Sequence, residues 1–213
     1  HNCPGFGAFQ FNLVTASAAR MKHGRVSMAG GWRGIAGNNI DRQRVLCYNL
    51  LKAGVFSRSD SMSEKDDEYY MEAALELAQE AYVRGEVPIG AVLVRDGEIL
   101  ARNHNRREEL KDATAHAEIL VLREAGRLIG GWRLTGTTLY VTLEPCPMCA
   151  GALVQARVSR LVYGTRDLKG GAAASLYNIT SDPRLNHRLA VEEGILRERC
   201  AALLQKFFKE RRD

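Results

Sequence analysis

The apolar run Pro88-Ile89-Gly90-Ala91-Val92-Leu93-Val94 is followed, one residue on, by Asp96-Gly97 and then by Glu98-Ile99-Leu100-Ala101. Asp-Gly supplies two residues that tolerate positive φ, which is what a tight turn between antiparallel strands demands. The stretch is therefore a buried strand with its own return strand, and the rest of the fold has to be built around that pair. Its flanks alternate in period. Met71, Ala74, Leu75, Ala78 and Tyr82 recur at helical spacing ahead of Gly85, which sits where a helix end favours a left-handed residue. Residues 115–127 suit a second helix and residues 138–143 a third strand, with Pro145 expected at the first position of the next helix. Residues 160–164 read as a fourth strand, and Leu196, Cys200, Leu203, Leu204, Phe207 and Phe208 form one stripe of a last helix. One hairpin set among alternating helices and strands predicts an α/β fold with a mixed central sheet covered by helices.

Residues 1–61 follow no such pattern. Their glycine cluster, Gly30-Gly31-Trp32-Arg33-Gly34-Ile35-Ala36-Gly37, matches neither a dinucleotide fingerprint nor a phosphate loop. They carry eight Lys/Arg against two acidic residues, a net of +6, whereas residues 62–213 carry 22 against 23, a net of −1. The basic balance of the whole chain thus belongs to its first quarter, and whole-chain charge is no argument for nucleic-acid binding. Three readings of this stretch compete: a basic, acid-poor transit peptide, an RNA-binding arm, or upstream sequence ahead of a true start at Met62. The third is preferred, because the ordered pattern begins abruptly after Met62. The expected organisation is an atypical basic extension over 1–61, disordered or not native, and a domain over 62–213. A body of that size buries about 68–70% of its unfolded surface, enough to stand alone. No uncharged apolar run approaches the roughly 18 residues of a membrane-spanning helix. The five cysteines are an odd count with no dense framework, which argues against a disulfide scaffold and for a reduced cytoplasmic setting, or an organellar one if residues 1–61 are a transit peptide.

The chemistry concentrates in His116-Ala117-Glu118 and Pro145-Cys146-Pro147-Met148-Cys149. Cys146 and Cys149, three apart at a helix start, project one turn apart, and a helix N-terminus favours the thiolate that binds metal. His116 adds a neutral imidazole, and a His-Cys-Cys set suits Zn²⁺. A structural zinc site takes a fourth protein ligand, whereas a catalytic one leaves that place to water. Cys200 falls on the apolar stripe of the last helix and reads as core, while Cys3 and Cys47 lie in the irregular extension. A lone His-x-Glu carries little information, and a lone Cys-x-x-Cys also suits redox chemistry or half a zinc ribbon. Their combination favours an open catalytic site. On an ideal helix, positions 116 and 118 point about 200° apart, so spacing alone does not aim Glu118 at the metal.

His-Ala-Glu with Pro-Cys-Pro-Met-Cys-Ala-Gly-Ala resembles the zinc-dependent nucleoside deaminase superfamily, whose signature is H-x-E followed by P-C-x-x-C. Glu86-Val87-Pro88-Ile89-Gly90-Ala91-Val92, Asn105-Arg106, Gly164-Thr165-Arg166-Asp167, Leu185-Asn186-His187-Arg188 and Phe207-Phe208-Lys209-Glu210-Arg211-Arg212 are similar to the bacterial tRNA-specific adenosine deaminases. The resemblance runs from about Met71 to Arg212. It implies a cytidine-deaminase-like three-layer fold, one Zn²⁺ per subunit and a homodimer. The implied reaction is hydrolytic deamination of adenosine to inosine at the wobble position of a tRNA anticodon arm, with Glu118 as proton shuttle. It further implies that Asn105 holds the target nucleotide and that His187 lies near flanking bases. Arg166 also belongs to the implied substrate site, and Asp167 either meets the nucleotide backbone or pairs with Arg166. Arg106, Arg107, Lys209, Arg211 and Arg212, with Lys206, are the candidate phosphate contacts, or else a solvated face. The competing readings are a small-molecule guanine or cytosine-type deaminase, which needs no basic cluster on the last helix, and a non-catalytic zinc scaffold, which has no use for Glu118.

Overall fold

The computed structural model describes residues 66–212. The readings of residues 1–61 lie outside them. The chain runs α1 (Asp67–Val83), β1 (Gly90–Arg95), β2 (Glu98–His104), a one-turn α2 (Arg107–Leu110), α3 (Ala117–Ile129), β3 (Thr137–Leu143), α4 (Pro147–Ala156), β4 (Arg160–Thr165), β5 (Ala190–Glu193) and α5 (Arg197–Glu210). The strands form one sheet in the order β2-β1-β3-β4-β5. β1 is antiparallel to both neighbours, and β3, β4 and β5 run parallel. No helix among the described residues is long and apolar enough to cross a membrane.

The hairpin turn is the predicted one: Asp96 and Gly97 both take positive φ, 51° and 76°, and Arg95 pairs with Glu98. Leu93 pairs with Ala101 but Val94 pairs with Ile99, so Leu100 is the extra residue of a bulge in β2. Side chains then alternate across the sheet. Ala91, Leu93, Leu139, Val141, Leu161 and Tyr163 pack with Ala117, Val121 and Ala125 of α3 and Leu153 and Val154 of α4. Val92, Val94, Tyr140 and Val162 pack on the other face with Tyr70, Met71 and Ala74 of α1 and Cys200 of α5. The result is three layers, helix, sheet and helix. α1 comes so close to β1 that a Cβ at Gly90 would stand 2.0 Å from the Ala74 carbonyl oxygen and 2.6 Å from the Ala78 nitrogen. Only glycine fits that crossing.

Some local expectations shift. Pro145 is not the first residue of a helix: Cys146 is the N-cap of α4 and Pro147 occupies the first turn. The chain is still extended at 145, where the Pro145 carbonyl accepts the Ala172 N–H at 2.8 Å. The helix expected over 115–127 begins at Ala117, with His116 as N-cap, and ends at the left-handed Gly130. On α5, Cys200, Leu204 and Phe207 are buried but Phe208 is exposed. Phe207 takes the packing against Tyr82, ring centroids 6.0 Å apart, and Phe208 lies edge-on to it from the solvent side. Leu196 is the left-handed N-cap residue of α5, and it packs with Leu203 against the cluster that holds Cys200. Neither β5 nor α2 is expected from the sequence pattern.

Candidate active site and metal centre

His116 and Cys146 occupy the same kind of position on different helices. Each is the N-cap residue, His116 of α3 at φ −72°, ψ 151° and Cys146 of α4 at φ −71°, ψ 171°, and neither side chain caps its own helix. They turn toward each other instead. His116 Nδ1 stands 3.7 Å from Cys146 Sγ and 3.6 Å from Cys149 Sγ. The three ligand atoms lie within 4.8 Å of one another, and theirs is the only such His/Cys/Asp/Glu cluster among the described residues. Zinc bonds of about 2.3 Å to sulfur and about 2.05 Å to nitrogen, at tetrahedral angles, separate the two donors by about 3.6 Å. The observed spacing fits that requirement. Cys200 does not close the set, because it lies on the α1/α5 side of the sheet, its sulfur against Gly164.

Extended backbone at His116 also removes the helical-wheel difficulty, since residue 116 is not in the helix that carries Glu118. Glu118 is 3% exposed, and its Oε2 has no hydrogen-bond partner. Burial pushes its carboxyl above the ordinary range, against a smaller opposing effect of the nearby His116 charge. Hydrogen bonding from Cys149, together with the His116 contact, holds the Cys146 thiol down to about 4. Cys149, bonded to Cys146 and deeply buried, is pushed up. Hydrogen bonding to Cys146 raises His116 against the opposing effect of its partial burial and, to a smaller degree, the charge of Arg107. Of the two thiols, Cys146 is therefore the one favoured as thiolate.

Asn105 follows β2 and is 2% exposed. Its N–H donates to the Ile89 carbonyl at 2.9 Å, and the next N–H, of Arg106, donates to the Ala115 carbonyl at 3.0 Å, which ties this stretch to the residue before His116. The Asn105 Nδ2 donates to Glu86 Oε2 at 3.4 Å, and its Oδ1 is buried without a partner. Buried polar atoms in native proteins are almost always hydrogen-bonded. Glu118 Oε2 and Asn105 Oδ1 are both orphaned, each a buried acceptor that a ligand could satisfy.

The other expected contacts are less exclusively turned to a substrate. Arg106 donates twice to Glu109, at 3.0 and 2.6 Å, whereas Arg107, the first residue of α2, is exposed. Asp167 does not pair with Arg166. Its Oδ1 accepts the Lys169 and Gly170 N–H groups, and Arg166 donates to both oxygens of Glu193, at 2.9 and 2.8 Å. His187 Nε2 lies 2.7 Å from the Val158 carbonyl oxygen, beyond the C-terminal end of α4. That helix is about 15 Å long, so His187 stands far along it from Cys146. Lys209, Arg211 and Arg212 are exposed at the end of α5; Arg211 donates to the Gly85 carbonyl and Arg212 to the Phe208 carbonyl at 3.1 Å.

Two buried carboxylates that frame the site are not singled out by the sequence. Glu86, 1% exposed, accepts the N–H groups of Glu108 and Glu109 on one oxygen, each at 2.9 Å. Glu144, 2% exposed and two residues before Cys146, accepts the N–H groups of Asp167, Ala173, Ala174 and Ser175 at 2.8–3.1 Å, and the Ser175 hydroxyl. Burial pushes the Glu144 carboxyl up, but these donors outweigh it and hold it below the ordinary range. The loop closes on it so tightly that a Cβ at Gly171 would stand 2.3 Å from Glu144 Oε2. An acidic residue at the edge of an apolar strand segment, as in Glu86-Val87-Pro88-Ile89 and Leu143-Glu144-Pro145, was the available signal.

A dry carboxylate beside a three-donor metal seat is equipped to move protons during hydrolysis at a ring carbon, and the chain matches the MafB19-like deaminase family over residues 65–212. In class it is a deaminase. It is 53% identical over 146 residues to the tRNA-specific adenosine deaminase of Bacillus subtilis strain 168, covering 68% of this chain and 91% of that protein. A structure from work on A-to-I editing by tRNA:A34 deaminases at the wobble position superposes with a TM-score of 0.62 at 51% identity, over 64% of this chain and 99% of that one. A more distant protein, solved in complex with 2,6-diaminopurine, gives a TM-score of 0.60 at 26% identity, over 75% of this chain and 88% of that one. The chain belongs to the tRNA-specific adenosine deaminase family.

Proposed function

We propose that this chain converts adenosine to inosine by hydrolysis at the wobble position of a tRNA anticodon, and that residues 62–213 carry the activity. The observation that carries this reading is Glu118: a buried carboxylate with an unpartnered oxygen beside the His116-Cys146-Cys149 cluster. His116, Cys146 and Cys149 would hold one Zn²⁺ per subunit, which when bound would lower the pKa of a water toward neutral. The overall change adds water at C6 of the base and expels ammonia. Glu118 accepts a proton from the water at its free oxygen, delivers it to ring N1 as charge builds there, and then assists the departing amine. Its burial supports this cycle, because desolvation makes the carboxyl a stronger proton acceptor than one in water. Asn105 holds the nucleoside. A base in an anticodon loop is already unstacked, which lowers the cost of drawing it into the site.

The RNA contacts follow from position. Arg107, exposed and near His116, is the first candidate for a phosphate. Asp167 faces the nucleotide backbone from the loop that Glu144 pins, with Arg166, His187, Arg106, Lys209, Arg211 and Arg212 contributing further out. The working unit is a homodimer in the cytoplasm. An open groove between α3 and α4, lined by Ile119, Leu122, Trp132, Leu134 and Ala156 with Arg123 and Gln155 beside them, offers a second copy an apolar surface to cover. Sedimentation of the wild type beside Trp132→Glu reads that directly, and a monomeric wild type rejects the dimer.

Glu118→Ala tests the mechanism. It is expected to keep its metal, by elemental analysis, and its fold, by circular dichroism. Inosine formation on an adenosine-containing anticodon hairpin is expected to fall by at least about 10²–10⁴-fold. Activity that survives the substitution overturns the role of Glu118. Ammonia release from free guanine or cytidine, without any from the hairpin, overturns the substrate.

A further inference from the structure

We propose that Glu86 is the positioning residue that fixes the polarity of Asn105, so that the site presents a hydrogen-bond acceptor, Asn105 Oδ1, to a donor group of the bound nucleoside. This rests on the deaminase reading above. Glu86 sits in the connection between α1 and β1, its own N–H bonded to the Ala81 carbonyl at 2.9 Å. Its carboxylate caps a helix to which it does not belong. Arg106, the N-cap residue of α2, makes no side-chain cap bond, and Glu86 Oε1 takes the Glu108 and Glu109 N–H groups in its place. That leaves Oε2 for Asn105.

A carboxylate oxygen can only accept, so the Asn105 amide must turn its NH₂ group toward Glu86. The 3.4 Å contact has that sense. The Asn105 carbonyl oxygen then points the other way, buried and unsatisfied. An isolated Asn beside a ligand can rotate its amide to suit donor or acceptor. Here the choice is made in advance by a residue that lies outside the ligand's reach, and a nucleoside with an N–H or O–H at that point satisfies an atom that otherwise stays orphaned.

The test inverts the polarity. In Glu86→Gln the single amide oxygen is retained by the two backbone N–H donors, and the new NH₂ group faces Asn105. The Asn105 amide must turn over to meet it, and it then presents a donor to the substrate's donor. On the full chain loaded with zinc, acting on the anticodon hairpin, KM is expected to rise about 10–100-fold with a smaller change in kcat. In an Asn105→Ala background the same substitution is expected to change KM by less than about 2-fold, because its route of action is gone. The pair Glu86→Gln with Asn105→Asp restores an acceptor to the substrate, and is expected to recover part of what Asn105→Asp alone loses. An unchanged KM in Glu86→Gln overturns the proposal, as does a loss of equal size in the Asn105→Ala background or a failure of the pair to recover. Should Glu86→Gln not fold, Asn105→Asp is compared with Asn105→Ala. Acceptor facing acceptor is expected to lower Tm further than truncation does, and an equal or smaller drop overturns the proposal. A wild type inactive on the hairpin defeats the deaminase reading instead, so the two failures are distinguishable.

Discussion

At the scale of residues, the His116-Cys146-Cys149 cluster and its neighbour Glu118 were legible because each motif is local in the chain: His116 with Glu118, and Cys146 with Cys149. The aim of Glu118 was not legible, since a helical wheel takes His116 to be helical and the structure makes it an extended N-cap. Glu86 and Glu144 were hidden for a different reason. Their donors come from 22 to 31 residues away, and no local pattern announces a backbone N–H that folding will bring to a carboxylate. The ligand cluster carries an expectation of its own. Cys149 is pushed far above its ordinary value, so it gives up a proton when metal binds, while Cys146 is held down to about 4. Zinc uptake at neutral pH is expected to release at least about one proton, that of Cys149, and affinity to fall as pH drops. Calorimetry in buffers of different ionisation heat counts those protons. Cys149→Ser is expected to abolish stoichiometric zinc binding, scored by elemental analysis.

At the scale of elements, the hairpin was the most readable feature, because Asp-Gly fixes both turn type and register. β5 escaped notice because Ala190-Val191-Glu192-Glu193 is a four-residue edge strand with alternate residues exposed, which offers no apolar run. The one-turn α2 is held from outside by Glu86 and shows no cap of its own to read. The tight crossing of α1 over β1 yields a direct expectation. Gly90→Ala places a methyl against backbone that cannot yield cheaply, and is expected to cost about 1–3 kcal/mol, read as a lower denaturant midpoint at unchanged m-value. Gly171→Ala presses on Glu144 instead. It is expected to weaken hairpin binding, seen as a raised KM, because the loop carrying Asp167 loses its anchor.

At the scale of the whole molecule, the first helix is locked to the far side of the sheet by a polar clamp. Arg160 of β4 donates to Asp67 at 2.8 and 2.6 Å, and the Tyr140 hydroxyl donates to the same carboxylate at 2.6 Å. The Arg160 hydrogen bond holds the Asp67 carboxyl below its ordinary 3.8. Its stabilisation is therefore complete above about pH 4 and lost as pH falls through the depressed value. Asp67→Asn is expected to cost about 1–2 kcal/mol at pH 7 and to flatten the acid limb of the stability profile, measured by denaturant titration from pH 2 to 7. The mixed sheet covered by helices was legible from the alternating periods, and the three-layer arrangement from the family resemblance. We propose that a chain beginning at Met62 deaminates the hairpin as fast as the full sequence, which a side-by-side assay checks.

The same five strands also divide the described sulfur atoms into two populations. Cys146 and Cys149 lie on the α3/α4 side; Cys200 lies behind the sheet, in contact with Gly164, its thiol pushed up to about 12 by burial. An alkylating footprint, resolved peptide by peptide, therefore carries its own zero: the Cys200 fragment stays unlabelled in every folded sample. Label on the Cys146 fragment then counts sites that hold no metal, and label on Cys200 counts unfolded chains.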